Sequence, residues 1–283
     1  TGSIVSAVNE HAKTAREHLL KLVSFFNKNP DMPFVVKKKV LDAAFIAAIL
    51  YGCESWFNSS LKKVESVYMG ALKALLGVRI TTANDLCLVE LGFPPLKDLV
   101  KHRQKVFFEK MTMERRDMND DPLMFAIKLT STTSTGSYIN ELLGLNDIVE
   151  DGKLLLKDRV RLSERSKFIV YKEMNPGLDV HCVYTKEMSA HIPEYLRIAF
   201  SRMRLSAHRL RIETGRWSRI PRDQRLCRCG DVQDEAHVIG HCPLVQNIRE
   251  RFNKPNLRFP ECIIDAKVLD DFKLLYEILK YFD

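Results

Sequence analysis

A mostly α-helical fold is predicted by three observations. Apolar side chains recur at helical spacing along most of the chain, strand signals are scarce, and Pro- or Gly-containing breaks separate the periodic stretches. The 283 residues are 46% hydrophobic and 28% charged, which is the composition of a globular chain rather than a disordered one. That length accommodates one large domain or two small ones, each with a real core. No internal repeat is visible.

The first predicted helix, 4–28, carries Val8, Ala12, Ala15, Leu19, Leu22 and Phe26 at helical spacing and stops at "NKNPDMP". The second, 34–57, is apolar nearly all round from Val40 onward and is expected to be buried. Tyr51 and Trp56 of its "YGCESW" end are expected to pack inside. A third helix spans 61–78. The stretch "TTANDLCLVELGFPPL" (81–96) predicts a short helix with Thr82 or Asn84 as N-cap, closed by Gly92 and blocked by Pro94 and Pro95. Residues 96–118 form another, and "MNDDP" (118–122) reads as the turn before a helix beginning at Leu123. The Ser/Thr-rich "LTSTTSTGSY" (129–138) reads as a linker. A charged helix follows at 153–174, then a break at "NPGLD", then a helix at 192–210 with Pro193 at its first position. The chain is thus divided into a helical bundle (1–128), a linker and helical region (129–190), and a segment of basic helix, metal knuckle and C-terminal helix (191–283).

The longest apolar run, around "AAFIAAILYGC", falls short of the ~20 apolar residues that cross a bilayer. No secretory signal opens the chain, so an intracellular, reducing compartment is expected, and the odd count of seven cysteines argues against a disulfide framework. The chain starts with Thr rather than Met and is read as a piece of something longer.

Charge is concentrated. Residues 197–228 hold ten arginines, no lysine and two acids, Glu213 and Asp223, so this segment carries a net charge equal to the +8 of the whole chain. Such a block is the footprint of a polyanion partner, and arginine's planar fork suits phosphate. Candidate nucleic-acid contacts are Arg202, Arg204, Arg209, Arg211, Arg216, Arg219, Arg222, Arg225 and Arg228. Trp217, among them, is either a stacking platform for an unpaired base or a core anchor. Glu213 is expected to pair with a neighbouring arginine. Lys37, Lys38 and Lys39 are read either as backbone or import contacts or as a solvated helix start.

The stretch "RLCRCGDVQDEAHVIGHCPL" (225–244) gathers three cysteines and two histidines. Cys227 and Cys229 can bind one metal from a tight turn that Gly230 lets bend. His237 and Cys242 can return to the same ion from a short helix. Three thiolates and one imidazole close a tetrahedral shell, which predicts a structural Zn²⁺. His241 could replace His237, but it adjoins Cys242, and His237 is favoured.

Residues 208–243, from "HRLRIETGRWSRIPRDQRLCRCG" to "DEAHVIGHCP", resemble the C-terminal Cys-Cys-His-Cys knuckle of non-LTR (LINE-type) retrotransposon reverse transcriptases. "PFVVKKKVLDAAFIAAILYGCESW" (33–56) resembles that family's thumb, and "YMGALKALLGVRITTANDLCLVELGFPPL" (68–96) the segment after it. The resemblance implies a thumb-like helical bundle, a helical linker and a zinc knuckle. It implies RNA as ligand, or an RNA–DNA hybrid or target DNA, and target-primed reverse transcription as the process. It also implies a polymerase portion upstream in the same polypeptide and a ribonucleoprotein found in cytoplasm and nucleus. The family's aromatic-x-Asp-Asp turn is missing: Asp120 and Asp121 follow Met118 and no strand flanks them. No catalytic residue is therefore predicted, and the chain alone is not expected to be an enzyme. The alternatives are a polymerase fragment active only with its missing portion, or a host-adopted structural or interaction protein whose zinc serves stability alone.

Overall fold

The computed structural model describes residues 3–57, 59–114 and 133–283. Among them no strand forms, and one isolated antiparallel bridge joins Leu226 to Val232. No helix is long and apolar enough to cross a membrane. The expected turn at Asp120–Asp121, the Leu123 helix and the first part of the Ser/Thr-rich stretch lie outside the described residues.

Helix α1 (Ile4–Lys28) buries Val8, Ala12, Ala15, Leu22 and Phe26, the predicted face with Leu19 only half-buried. It packs on α3 (Lys62–Leu76). Between them the predicted long helix is interrupted. Helix α2 (Phe34–Val40) passes into a π-helical stretch at Leu41–Ile46, and the helical run ends at Ile49. Gly52, with φ of +71°, turns the chain, so "YGCESW" is a bend and not a helix end. Trp56 is buried there against the His11 ring at 5.0 Å, while Tyr51 is 79% exposed, contrary to expectation. Lys37 is no solvated helix residue: it is buried and ion-paired with Glu194.

Gly77 closes α3 with φ of +68°, and its bare Cα lets the chain approach Ile198, which would lie 2.6 Å from any Cβ. Helix α4 (Asn84–Leu91) ends at Gly92 as expected, but its N-cap is Ala83, and no side chain caps it. Helix α5 (Leu96–Glu114) packs against α6 (Ser134–Gly144) and α7 (Ile148–Leu162). Here two expectations are corrected. The Ser/Thr-rich stretch opens a helix, because Thr133 accepts a hydrogen bond from the Gly136 amide and caps α6. The charged helix at 153–174 is two helices, α7 and α8 (Ser166–Met174), separated at residues 163–165.

Helix α9 (Glu194–Arg204) follows Pro193, which is its N-cap rather than its first residue, and it stops six residues earlier than predicted, at Arg204. It packs on the C-terminal helix α12 (Leu269–Phe282), where Phe200 meets Phe272 at 5.1 Å. Helices α10 (Arg211–Trp217) and α11 (Gln246–Arg251) flank the cysteine segment. Among the described residues, most buried apolar side chains form one continuous cluster from Val8 to Leu279.

A buried polar knot ties α4, α8 and α9. Glu90 and Arg204 are 0% and 1% exposed, and the guanidinium grips both carboxylate oxygens, at 2.6 and 2.9 Å. Arg204 also donates to the Met174 carbonyl at 2.8 Å. The Tyr171 hydroxyl donates to Glu90 at 2.8 Å and accepts from Asn175 at 2.9 Å. Burial, with the Glu90 charge beside it, keeps that hydroxyl protonated well above its usual range.

Removing one partner strands a buried charge, so Glu90→Ala and Arg204→Ala should each cost ~3–5 kcal/mol. The double variant should cost clearly less than their sum, which a double-mutant cycle by urea unfolding checks. At α12, the Asp271 carboxylate accepts from the Lys267 and Val268 amides at 2.9 and 3.0 Å and pairs with Lys254. Burial alone would raise its pKa, but these partners outweigh it and hold the carboxyl below its ordinary 3.8. Its stabilisation is therefore complete above that value and is lost as pH falls through the depressed one. Asp271→Ala should cost ~1 kcal/mol near neutral pH, and its thermal midpoint should converge on the parent's in strong acid.

Candidate metal centre and arginine surface

The cysteine segment folds back on itself by short-range hydrogen bonds. The Gly230 amide donates to the Cys227 carbonyl at 3.0 Å and the Cys227 amide to the Asp231 carbonyl at 2.7 Å. Gly230, at φ of +105°, supplies the backbone shape of that turn. The second pair comes from a π-helical turn at His237–His241, whose first amide is capped by Asp234 at 3.0 Å. The Cys242 amide then donates to the His237 carbonyl at 2.8 Å.

These turns bring the ligand atoms of Cys227, Cys229, His237 and Cys242 within 4.8 Å of one another, and the four could hold a metal ion. Sulfur atoms ~2.3 Å from a central metal stand ~3.8 Å apart in a tetrahedron. Cys242 Sγ lies 3.7 Å from Cys227 Sγ and 3.9 Å from Cys229 Sγ. His237 presents Nε2, 3.1 Å from Cys229 Sγ, which is the tight edge of the set. Its Nδ1 faces the Asp231 carboxylate at 3.6 Å, the side on which a carboxylate orients a ligating imidazole. His241 is exposed and outside the cluster. The donor set therefore fits a metal.

Burial opposes ionisation of these thiols. At Cys227 the Cys229 amide and contacts with His237, Cys229 and Cys242 outweigh it and bring the thiol down to about 7. At Cys242 burial prevails, reinforced by the neighbouring Cys227, and the thiol is pushed up to about 12. A metal takes thiols as thiolates, so its binding would release protons from the cluster.

Three supports around the cluster had no signal in the sequence, because each depends on a partner chosen by the fold. Arg249, 1% exposed, donates to the Ile239 and Cys242 carbonyls at 3.1 and 2.7 Å. Gln233 donates to Cys227 Sγ at 3.8 Å and accepts from the Arg211 amide at 2.8 Å, joining the cluster to α10. His208 and Glu235, both buried, meet at 2.9 Å.

The arginines sort into two populations. Arg204 is buried in the Glu90 knot and leaves the set of nucleic-acid candidates. Arg225 leaves it too: its guanidinium is used on the Ile220 and Ile212 carbonyls at 2.7–2.9 Å, bracing the loop before the cluster. Arg216 is half-buried beside Glu213, which also pairs with Lys167 as an ion-paired acid should. Arg222 is exposed and paired with Asp234 at 3.2 Å. Arg202, Arg209, Arg211, Arg219 and Arg228 are exposed and make no ion pair among the described residues. Trp217 is 56% exposed, so it is no core anchor, and the Arg79 guanidinium lies over its ring at 3.9 Å.

Compared with known proteins, the chain matches no family model, no curated protein and no solved structure.

Protein purified without chelator should carry close to one equivalent of tightly bound metal, measured by elemental analysis. Cys229→Ser and Cys242→Ser should each lose most of it, while His241→Ala should keep it.

Proposed function

We propose that this chain is a zinc-stabilised nucleic-acid-binding module, the non-catalytic C-terminal part of a LINE-type reverse transcriptase. The carrying observation is that the segment 197–228, which runs into the Cys₃His cluster, leaves five arginines exposed without acidic partners among the described residues. The resemblance of residues 33–56, 68–96 and 208–243 to the thumb, the following segment and the knuckle of that family supports the reading. On it, the helices from α1 to α5 act as a thumb beside a duplex, and the arginine surface engages RNA, an RNA–DNA hybrid or target DNA.

The metal is zinc. A shell of three thiolates and one imidazole favours a soft-accepting ion without geometric demands from d electrons, and it leaves no position open for water. A closed shell serves structure rather than hydrolysis. The polymerase chemistry of the parent protein belongs to the portion upstream, and this chain positions nucleic acid for it.

Phosphate contacts release condensed counterions, so binding should fall steeply with salt. With about five contacts, log K against log salt should slope at roughly −3.5 on single strands, at ~0.7 per contact. Replacing Arg211, Arg219 and Arg228 with Ala should flatten that slope by about two and weaken all sequences alike, since phosphate contacts carry no sequence information. A parent protein with no salt-dependent binding to RNA or DNA would leave the zinc a purely structural role and this reading without support.

A further inference from the structure

Cations without acidic partners are not confined to the arginine-rich segment. Arg79, just after α3, and Lys280, in the last turn of α12, line one cleft of about 500 Å³ together with Arg202 and Arg209. Clefts of this size are typical of sites for ligands of nucleotide dimensions, about 300–1,000 Å³. Asp283 contributes the one carboxylate side chain among the lining residues. None of the four cations makes an ion pair among the described residues. Elsewhere on the surface Arg159 pairs with Asp85 and Arg251 with Glu277. Gathering like charges without counter-charges is unfavourable. Partial burial, then Arg209 and Arg202, hold the Arg79 guanidinium below its usual pKa. A polyanion in the cleft relieves that repulsion.

The walls also carry π surfaces. Tyr195 and Arg202, seven residues apart, share the outer face of α9. Tyr276 and Lys280, four apart, share a face of α12 opposite. The two tyrosines meet edge to face at 4.9 Å, and Tyr195 is 52% exposed. At the rim, Arg79 covers one face of Trp217, and its 56% exposure leaves indole surface free for a base.

We propose that an unpaired nucleic-acid strand lies in this cleft, its sugar-phosphate chain on Arg79, Arg202, Arg209 and Lys280 and a base stacked on Trp217. The proposal rests on the nucleic-acid-binding reading and names its seat, whose lining does not include Arg211, Arg219 or Arg228. An unpaired strand fits better than a duplex, because a base already stacked in a duplex offers no face to the indole.

The zinc-loaded full chain is titrated with single strands of about 12 nucleotides, oligouridine RNA and oligothymidine DNA, and with a duplex of the same length. Tryptophan emission reports on Trp217, because Trp56 is buried against His11. Both single strands should quench the emission, and the duplex should bind at least about tenfold more weakly. Arg79→Ala combined with Lys280→Ala should weaken single-strand binding about tenfold and flatten the salt slope by about 1.4, two contacts at ~0.7 each. Trp217→Ala should weaken single strands alone and leave the slope unchanged. Thermal midpoints and metal content of the variants should match the parent's. If the folded Arg79/Lys280 variant binds single strands with the parent's affinity and slope, the cleft is not the seat. Equal binding of duplex and single strand with unchanged emission overturns it as well. In either case binding lost in the Arg211/Arg219/Arg228 variant would leave the nucleic-acid reading standing. If the parent binds no nucleic acid at low salt, both fall together.

Discussion

The buried pair of Glu90 and Arg204 is the constraint on which the arrangement of the helices depends. Two charges removed from water cost several kcal/mol each unless every lone pair and N–H finds a partner. Here the carboxylate receives the guanidinium fork and the Tyr171 hydroxyl, and the guanidinium spends a further N–H on the Met174 carbonyl. The pairing is fully made at one relative placement of α4, α8 and α9. It therefore sets the rotation of α9 about its own axis. Arg197 and Arg204, seven residues apart, face inward, with Arg197 over the Phe34 ring at 4.6 Å. Tyr195 and Arg202, on the opposite phase, face out. One rotation both completes the core and presents the outer cations.

That division explains what could be read in the sequence and what could not. Counting charge along residues 197–228 locates a basic segment but treats Arg202 and Arg204 alike. Helical phase separates them, since Arg204 lies on the face of Phe200 and Arg197. The signal was present, but an arginine on an apolar face is recognised as buried only when its acid is known, and Glu90 is 114 residues away. Arg79 and Lys280 escaped notice for the same reason: their company is set by folding. Local signals served better. Gly92 ends its helix as expected, because a left-handed residue satisfies the last carbonyls, and Gly77 does the same inside the stretch read as helix to residue 78. The spacing of Cys227, Cys229, His237 and Cys242 was legible because two tight turns fix their geometry. The π-helical stretch at Leu41–Ile46, the break after α7 and the exposure of Tyr51 were not, because apolar periodicity looks the same on either side of such interruptions.

The Cys₃His cluster is part of the main core rather than an appendage. Cys227 and Cys242 belong to the same buried cluster as α1 and α12. Arg249 fastens the second ligand turn to α11, and Gln233 fastens the first to α10. Burial, reinforced by the neighbouring Cys227, keeps the Cys242 thiol protonated, so capture of a metal must displace that proton and is favoured as pH rises. The cluster and the helices around it therefore stabilise each other.

On the proposed function, that coupling also gives the metal a part in binding that requires no contact with nucleic acid. Arg228 sits between two ligands, so coordination fixes its backbone. Asp234 caps the His237 turn with one oxygen and holds Arg222 with the other. Arg225 packs its stem on Gly215 and holds the Ile220 carbonyl, which keeps the loop carrying Arg219 beside the cluster. Flexible arginines lose side-chain and backbone freedom when they grip a phosphate, and affinity improves when that ordering has already occurred. A closed metal shell orders these positions before any ligand arrives. The structural role of the metal and the binding role of the arginines are then one device, in which coordination energy is converted into a preorganised cationic surface.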